Sequence, residues 1–257
     1  YIPITFLGDS ITVQQNFITN FCLVTDDGGG IYTSGNFDSK GRKLINNIIL
    51  GGKGAHTGTN QPQDVAAHGI YMDDLTANVD ITGNTVARCS EYGIFLHNAS
   101  SITITGNTVF DCGVSQIGMN QDSQDPIRKI SVRNNIFVST KESQFITDMR
   151  SRSDDLAQFG SSDENFIYHP GESKPVARMY SPSAKKDMSL SSYQMATSQE
   201  QRSKRSGIVA PGNILFLYNP GFKDLTMTLK GRYKDLKGKV YPGKIVLVPF
   251  SSAVLIR

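Results

Sequence analysis

The chain has 257 residues, with 26 Lys and Arg against 23 Asp and Glu, a formal net charge of +3, 24 Gly and no Trp. That length fits one elongated domain and a small second one. The modest charge, without a Lys/Arg stripe interleaved with stacking aromatics, argues against a nucleic-acid partner, and no apolar run reaches the roughly 18 residues of a membrane span.

The chain is strand-like from its second residue (YIPITFLGDSITV). An open solenoid end exposes its core and requires a cap, so a further N-terminal portion of the same protein is expected ahead of Tyr1. Residues 1–50 read as one coil and part of the next, with the loop Thr25-Asp26-Asp27-Gly28-Gly29-Gly30 inserted just ahead of a strand at Ile31. Residues 51–67 form a second insert, placed ahead of the next such strand. Both project beside the same wall, and inserts on one face of a solenoid tend to mark its binding face.

Residues 68–122 carry a repeat in its tightest form. Ile70-Tyr-Met-Asp returns 24 residues later as Ile94-Phe-Leu-His, and Ile81-Thr-Gly-Asn84-Thr-Val86 returns 23 residues later as Ile104-Thr-Gly-Asn107-Thr-Val109. A period in the twenties, built from short β-branched strands and Asn/Gly turns, predicts a parallel β solenoid whose coils bury their apolar faces against one another. With the Asn as marker the register extends through Asn16, Asn47, Asn84, Asn107, Asn135 and Asn165. Stacked strands lie about 5 Å apart, so these Asn side chains are expected to pass amide hydrogen bonds from coil to coil.

Aligning Ile31, Ile70, Ile94 and Ile117 sets Thr33, Met72, Leu96 and Met119 on the inner face by strand alternation. The outer face then carries Tyr32, Tyr71, Phe95 and Gly118, followed by Ser34, Asp73, His97 and Asn120. Residues 123–170 are looser, with a coil through Phe145-Ile-Thr-Asp148 and a last one at Asn165–Pro170. Cys22, Cys89 and Cys112 fit no metal spacing. Cys89 and Cys112 sit at equivalent positions, where stacked buried thiols are the favoured reading and a disulfide the alternative.

Residues 171–209, rich in Ser, Lys, Gln and Met, read as a connector lying over the solenoid, with room for a short helix beginning at a Ser cap. From 210 to 257 the pattern is antiparallel β, with strands at Asn213–Asn219, Leu225–Leu229, Lys244–Val248 and Ala253–Arg257 and turns at Pro220-Gly and Pro242-Gly. The predicted fold is all-β: a parallel β-helix over 1–170, a connector over 171–209 and a small antiparallel module over 210–257.

The strings GIYMDD, GNTV and IFLHN, the pairing of TDDGGGIY with HGIYMDD, and the C-terminal YKDLKGKVYPGKIVLVPFSSAVL together carry a family likeness. The chain resembles right-handed parallel β-helix repeat proteins that act on carbohydrates, especially β-helical glycoside hydrolases of gut and soil bacteria. The resemblance covers roughly residues 5–170 and 213–257 and is more specific for fold than for activity. It implies a secreted, periplasmic or cell-surface enzyme acting on a polysaccharide or oligosaccharide without a cofactor. The Lys/Arg base and acidic calcium cluster of pectate-lyase-like relatives are not found, which lowers the lyase reading.

Glycoside cleavage needs two carboxyl groups, one a protonated acid for the leaving oxygen and the other a nucleophile or base. Asp26, Asp27, Asp73 and Asp74 are the candidates, with Asp27 and Asp73 as the favoured pair. Each Asp also suits turn duty, bonding the backbone two residues on. His97, His68 and Asn120 are candidate substrate contacts, and a metal site from His56, His68 and His97 lacks a trustworthy ligand spacing. Tyr32, Tyr71 and Phe95 either offer flat faces to sugar rings or form a satellite core under a cover. The expected function is therefore a glycoside hydrolase. The alternatives are a non-catalytic carbohydrate-binding or structural β-helix, tailspike-like, and a polysaccharide lyase.

Overall fold

A computed structural model of the chain describes residues 1–35, 38–55, 57–58, 65–123 and 125–257. Three stacks of short parallel strands enclose one core. Wall A runs through Ile4–Thr5, Gly28–Thr33, Ala67–Met72, Tyr92–His97, Ser115–Gln121, Phe145–Ser151 and Ala177–Ser181. Wall B runs from Thr12–Gln14 to Gly160–Asp163, and wall C from Phe17–Thr19 to Lys204–Arg205. Successive coils visit A, B and C in turn, so the chain is a parallel β-helix.

The corner from wall B to wall C explains the Asn/Gly repeat. The residue before each marker Asn has positive φ: 52° at Asn46, 67° at Gly83, 68° at Gly106 and 57° at Asn134. Gly and Asn tolerate this left-handed conformation best, and the four inner corners read Gly-Asn or Asn-Asn, whereas Gln15 and Glu164 adopt it at 53° and 63° before Asn16 and Asn165. The marker Asn then points into the core. Asn16, Asn47, Asn84, Asn107 and Asn135 each donate from Nδ2 to Oδ1 of the next, at 2.9, 2.8, 3.0, 3.0 and 3.1 Å. Each accepting Oδ1 also takes the backbone N–H of the Asn before it.

The ladder ends on a carboxylate. Asn165 Nδ2 donates to both oxygens of the buried Glu200, at 3.0 and 3.1 Å, and Ser162 and Ser203 hydroxyls close around the same group. Burial nonetheless holds the Glu200 carboxyl above its ordinary range.

Wall A has the expected inner register: Ile31, Ile70, Ile94 and Ile117 pair in sequence, as do Thr33, Met72, Leu96 and Met119. Glycine is required within three of these strands, immediately before the inward Ile. A Cβ on Gly30, Gly69 or Gly93 would overlap Ile49, Val86 or Val109 of wall C, respectively. These glycines and the Ile residues after them both lie inward, so the residue before the glycine turns outward. That places His68 and Tyr92 beside Tyr71 and Phe95 on the outer face. Cys22, Cys89 and Cys112 are buried free thiols.

Residues 171–209 close the C-terminal end. Ala177–Ser181 adds a parallel strand to wall A, and Ala184–Met188 returns antiparallel to it. The helix Leu190–Thr197 is capped by Ser189, whose hydroxyl accepts the Ser192 N–H at 3.3 Å. Met188, Leu190 and Tyr193 join the solenoid core. The sequence hid this coil because its outward residues are Arg178, Tyr180, Lys185 and Asp187, and its apolar inward residues, Val176, Ala177, Met179 and Met188, are scattered among them. An apolar cavity of about 210 Å³ remains between Met149, Phe159 and Tyr193 and includes none of the candidate residues.

The C-terminal sheet consists of Ile214–Asn219, Leu225–Asp235, Val240–Leu247 and Ser251–Ile256. Its Leu236, Val254 and Ile256 pack on Ala87, Phe110, Val138 and Tyr168 of wall C. The expected turn at Pro242-Gly243 is instead strand. Pro242 pairs with Arg232 on an edge strand, where a missing N–H is tolerated, and the reversal falls between Asp235 and Val240. Among the described residues no helix is long and apolar enough to cross a membrane.

Candidate active site

The outer face of wall A presents two rows. The first is Tyr32, Tyr71, Phe95 and Gly118, paired in register. Asp73, just past the end of its strand, begins the second row, followed by His97 and Asn120. Its N–H donates to Thr33 O at 2.9 Å, which holds it on the wall.

Asp73 is the hub. Oδ2 accepts the Tyr32 hydroxyl at 2.8 Å, and Oδ1 accepts the Tyr71 hydroxyl at 3.1 Å and lies 2.8 Å from His97 Nδ1. Burial works to raise the Asp73 carboxyl, but the hydrogen bonds from His97, the Asp74 backbone and Tyr32 outweigh it and hold it below the usual range. Both tyrosines are pushed up, first by burial and then through their contact with Asp73, Tyr32 to about 12. They remain neutral donors.

His97 bridges two carboxylates, with Nε2 at 2.9 Å from Asp122 Oδ1. Burial would lower the imidazole, but its bonds to Asp73 and Asp122 win and raise it to about 9. Asn98 braces the group: its Nδ2 donates to Asp74 at 2.7 Å and to Asp122 at 2.9 Å, and its Oδ1 accepts the Asp122 N–H at 3.0 Å. Neither Asn98 nor Asp122 is among the sequence candidates. Asp74, Asn98 and Asp122 do recur at intervals of 24 residues, one position beyond Asp73 and His97 and two beyond Asn120, a spacing that was available to find them.

Asp27 sits in a left-handed turn with φ of 50°, its N–H donating to Ala66 O at 2.7 Å. It is exposed on one side. Surrounding protein, then the charges of Asp73 and Asp26, raise its carboxyl above the ordinary value. The Gly run is itself part of the wall A strand Gly28–Thr33 and not a loop lying over it. Asp27 stands immediately ahead of that strand, where the Asp73 charge reaches it, and the two carboxyls shift in opposite directions. Asp26 is buried.

The remaining candidates divide. Tyr71 and Phe95 are 4 % and 7 % exposed and pack with Tyr92, Tyr32 and Val114 in a satellite core. They are a floor beneath the site, and Tyr32 keeps a partly open face. His68 is buried among Tyr71, Tyr92 and Phe95, and burial drives its imidazole down to about 3, so it is neutral. Asn120 continues the row past His97 and makes no side-chain hydrogen bond among the described residues. His56 lies outside the described residues.

Ligand atoms of Asp73, Asp74 and His97 lie within 4.8 Å of one another, the spacing a cation would need. Both His97 nitrogens already face carboxylates, which keeps the ring protonated, and a protonated imidazole has no lone pair for a metal.

A stability consequence follows. The folded His97 value of about 9 lies above the unfolded value of 6.5, so its contribution is complete below pH 6.5 and lost as pH rises through 9. The lowered Asp73 and Asp122 values describe the same contacts from the other side. Discounting for the exposure of Asp122, the contribution is about 2 kcal/mol. Thermal melts should show the midpoint falling between pH 6.5 and 9, and a His97→Gln chain should lose that slope. An unchanged slope in the variant rules His97 out as its source.

This all-β solenoid with a wall-mounted polar site defines the chain as a parallel β-helix protein. Residues 4–154 match the family described as the right handed beta helix region, and the chain belongs to that family. No curated protein and no solved structure matches it.

Proposed function

We propose that the protein is a glycoside hydrolase that cleaves a polysaccharide or oligosaccharide on wall A, outside the cytoplasm, with Asp73 and Asp27 as the working carboxyl pair. The opposite shifts of these two neighbouring acids carry the reading. Two carboxyl groups whose surroundings push their pKa values apart are what acid/base cleavage of an acetal requires. Asp73, held ionised by Tyr32, Tyr71 and His97, is the nucleophile or the base that activates water. Asp27, raised and solvent-accessible, is the acid that protonates the leaving oxygen. His97, charged through the neutral range, keeps Asp73 ionised and oriented.

The test is digestion of a glycan library by the full chain and by Asp27→Asn. Turnover should be bell-shaped in pH. It falls on the alkaline side as the raised Asp27 deprotonates and on the acid side as the lowered Asp73 protonates. Asp27→Asn should lose turnover of unactivated glycans and keep much of its rate on substrates with an acidic leaving group. Equal rates on both classes remove Asp27 from the acid role.

A non-catalytic glycan-binding reading has two observations in its favour: Tyr71 and Phe95 are buried, and both Asp73 oxygens already have partners. Glycan binding that persists after all four Asp residues are replaced, with no turnover by the parent chain, decides for it. A lyase is separated from both by ultraviolet absorbance of an unsaturated product.

A further inference from the structure

The two outer rows of wall A change character beyond Gly118. The first row continues into Asp148 and Arg178, and the second into Arg150 and Tyr180. Asp148 is 1 % exposed, a position where an unpaired charge would be strongly unfavourable. Arg150 answers it with Nε at 3.1 Å and Nη2 at 3.0 Å, Arg178 Nη1 lies at 3.5 Å, and the Tyr92 hydroxyl lies at 3.3 Å.

Asp148 thereby fixes two guanidinium groups on the outer surface. Arg178 is stacked 4.2 Å from the Phe145 ring centre and reaches Asp187 at 3.2 Å. The Arg150 side chain is 42 % exposed, and its Nη1 has no hydrogen-bond partner among the described residues. Lys185, directly opposite Tyr180 in the antiparallel pair, adds a third cation to this face. Wall A is therefore acidic at Asp27 and Asp73. Three coils past Asp73, about 14 Å at the strand spacing of parallel sheets, Arg150, Arg178 and Lys185 outnumber Asp148 and Asp187 by one positive charge. Asp122, paired with His97, lies one coil short of Arg150. A few sugar rings span that distance.

We propose that Arg150 and Arg178 form a subsite for an anionic substituent on the glycan, a uronate carboxylate or a sulfate ester. The proposal rests on the reading of wall A as the glycan-facing surface. A planar guanidinium already held by a buried carboxylate, with a free edge in water, meets an oxyanion with little further loss of side-chain freedom. The acidic end of the wall repels the same group, so the charge gradient orients the chain with its anion away from Asp73.

The experiment is calorimetric titration of the full chain with an oligogalacturonate and a sulfated galactan oligosaccharide, each beside its carboxyl-reduced or desulfated counterpart. At least one acidic probe should bind about tenfold or more tightly than its neutral counterpart, with affinity falling as salt rises. Preference for the first assigns a carboxylate and for the second a sulfate ester. Arg150→Ala should remove the preference. Because that change strips a buried carboxylate of its partner, the double variant Asp148→Asn/Arg150→Gln, which leaves Asp148 uncharged, serves as the companion and should lose the preference too.

Failure of every acidic probe to bind better than its counterpart, or a preference that survives in the double variant, overturns the subsite. Binding is read without turnover, so the two proposals fail separately. An Arg150-dependent acidic preference in a chain that cleaves nothing leaves the subsite standing and removes the hydrolase. Cleavage of neutral glycans with no acidic preference does the reverse.

Discussion

Asp73→Asn should lower kcat by between about 10² and 10⁴-fold while changing KM far less. Asn keeps the shape of Asp, and its single amide oxygen can still accept one of the two hydroxyls, Tyr32 or Tyr71, that hold the carboxylate at 2.8 and 3.1 Å. What it lacks is charge. An amide is neither a nucleophile for the anomeric carbon nor a base for water, so the loss belongs to the chemical step and not to glycan binding. Two further readouts separate this from mere disruption. His97 loses its principal hydrogen-bond partner and should titrate well below 9. Asp27 loses the Asp73 charge that helps raise it, so the alkaline limb of any residual activity should move to lower pH. Undiminished kcat with an intact fold, checked by circular dichroism, would show that Asp73 does not take part in the reaction.

Asn107→Ala should destabilise the chain by about 3–5 kcal/mol, because several buried groups lose their partners at once. Asn107 Oδ1 accepts both the N–H and Nδ2 of Asn84, and its Nδ2 donates to Ile81 O at 2.9 Å and Asn135 Oδ1 at 3.0 Å. Alanine fills neither the hydrogen bonds nor the volume. Asn16→Ala is the control. Asn16 stands at the first described coil, is half-buried, and hands its bonds to Asn47 without receiving any from an Asn before it. Its loss should stay within about 1 kcal/mol. Thermal or denaturant unfolding distinguishes the two, and equal small effects would mean that the ladder contributes little to holding the coils together.

The fold was legible because its strongest constraints are local and periodic. Left-handed corners favour Gly or Asn, as at Asn46, Gly83, Gly106 and Asn134, and the core takes an Asn after each, so the pattern repeats in the sequence. Strand alternation then assigned the inner Ile and Met columns. It failed at Gly69 and Gly93, where two consecutive inward residues shift the phase and send His68 and Tyr92 outward; no local signal marks that break.

The site was legible where it follows a column, as Asp73 and His97 do. Asp27 was reachable because the Gly run sits directly ahead of the same column. Burial of Tyr71 and Phe95 was not readable, since their cover comes from Tyr92, which the phase break supplies. The Asp148 cluster escaped for another reason. Its coils each follow their predecessors by 30 residues, outside the tight repeat, so Arg150 and Arg178 fell off the alignment although they continue its rows.

The Asn ladder has one more implication. Its members are separated by 31, 37, 23, 28 and 30 residues, yet the hydrogen bonds joining them stay between 2.8 and 3.1 Å. The stack thus behaves like a ruler whose marks hold still while material is added between them. A lineage of such chains can lengthen, shorten or exchange the segments beside wall A, and so retune what is grasped there, without disturbing how one turn sits upon the next.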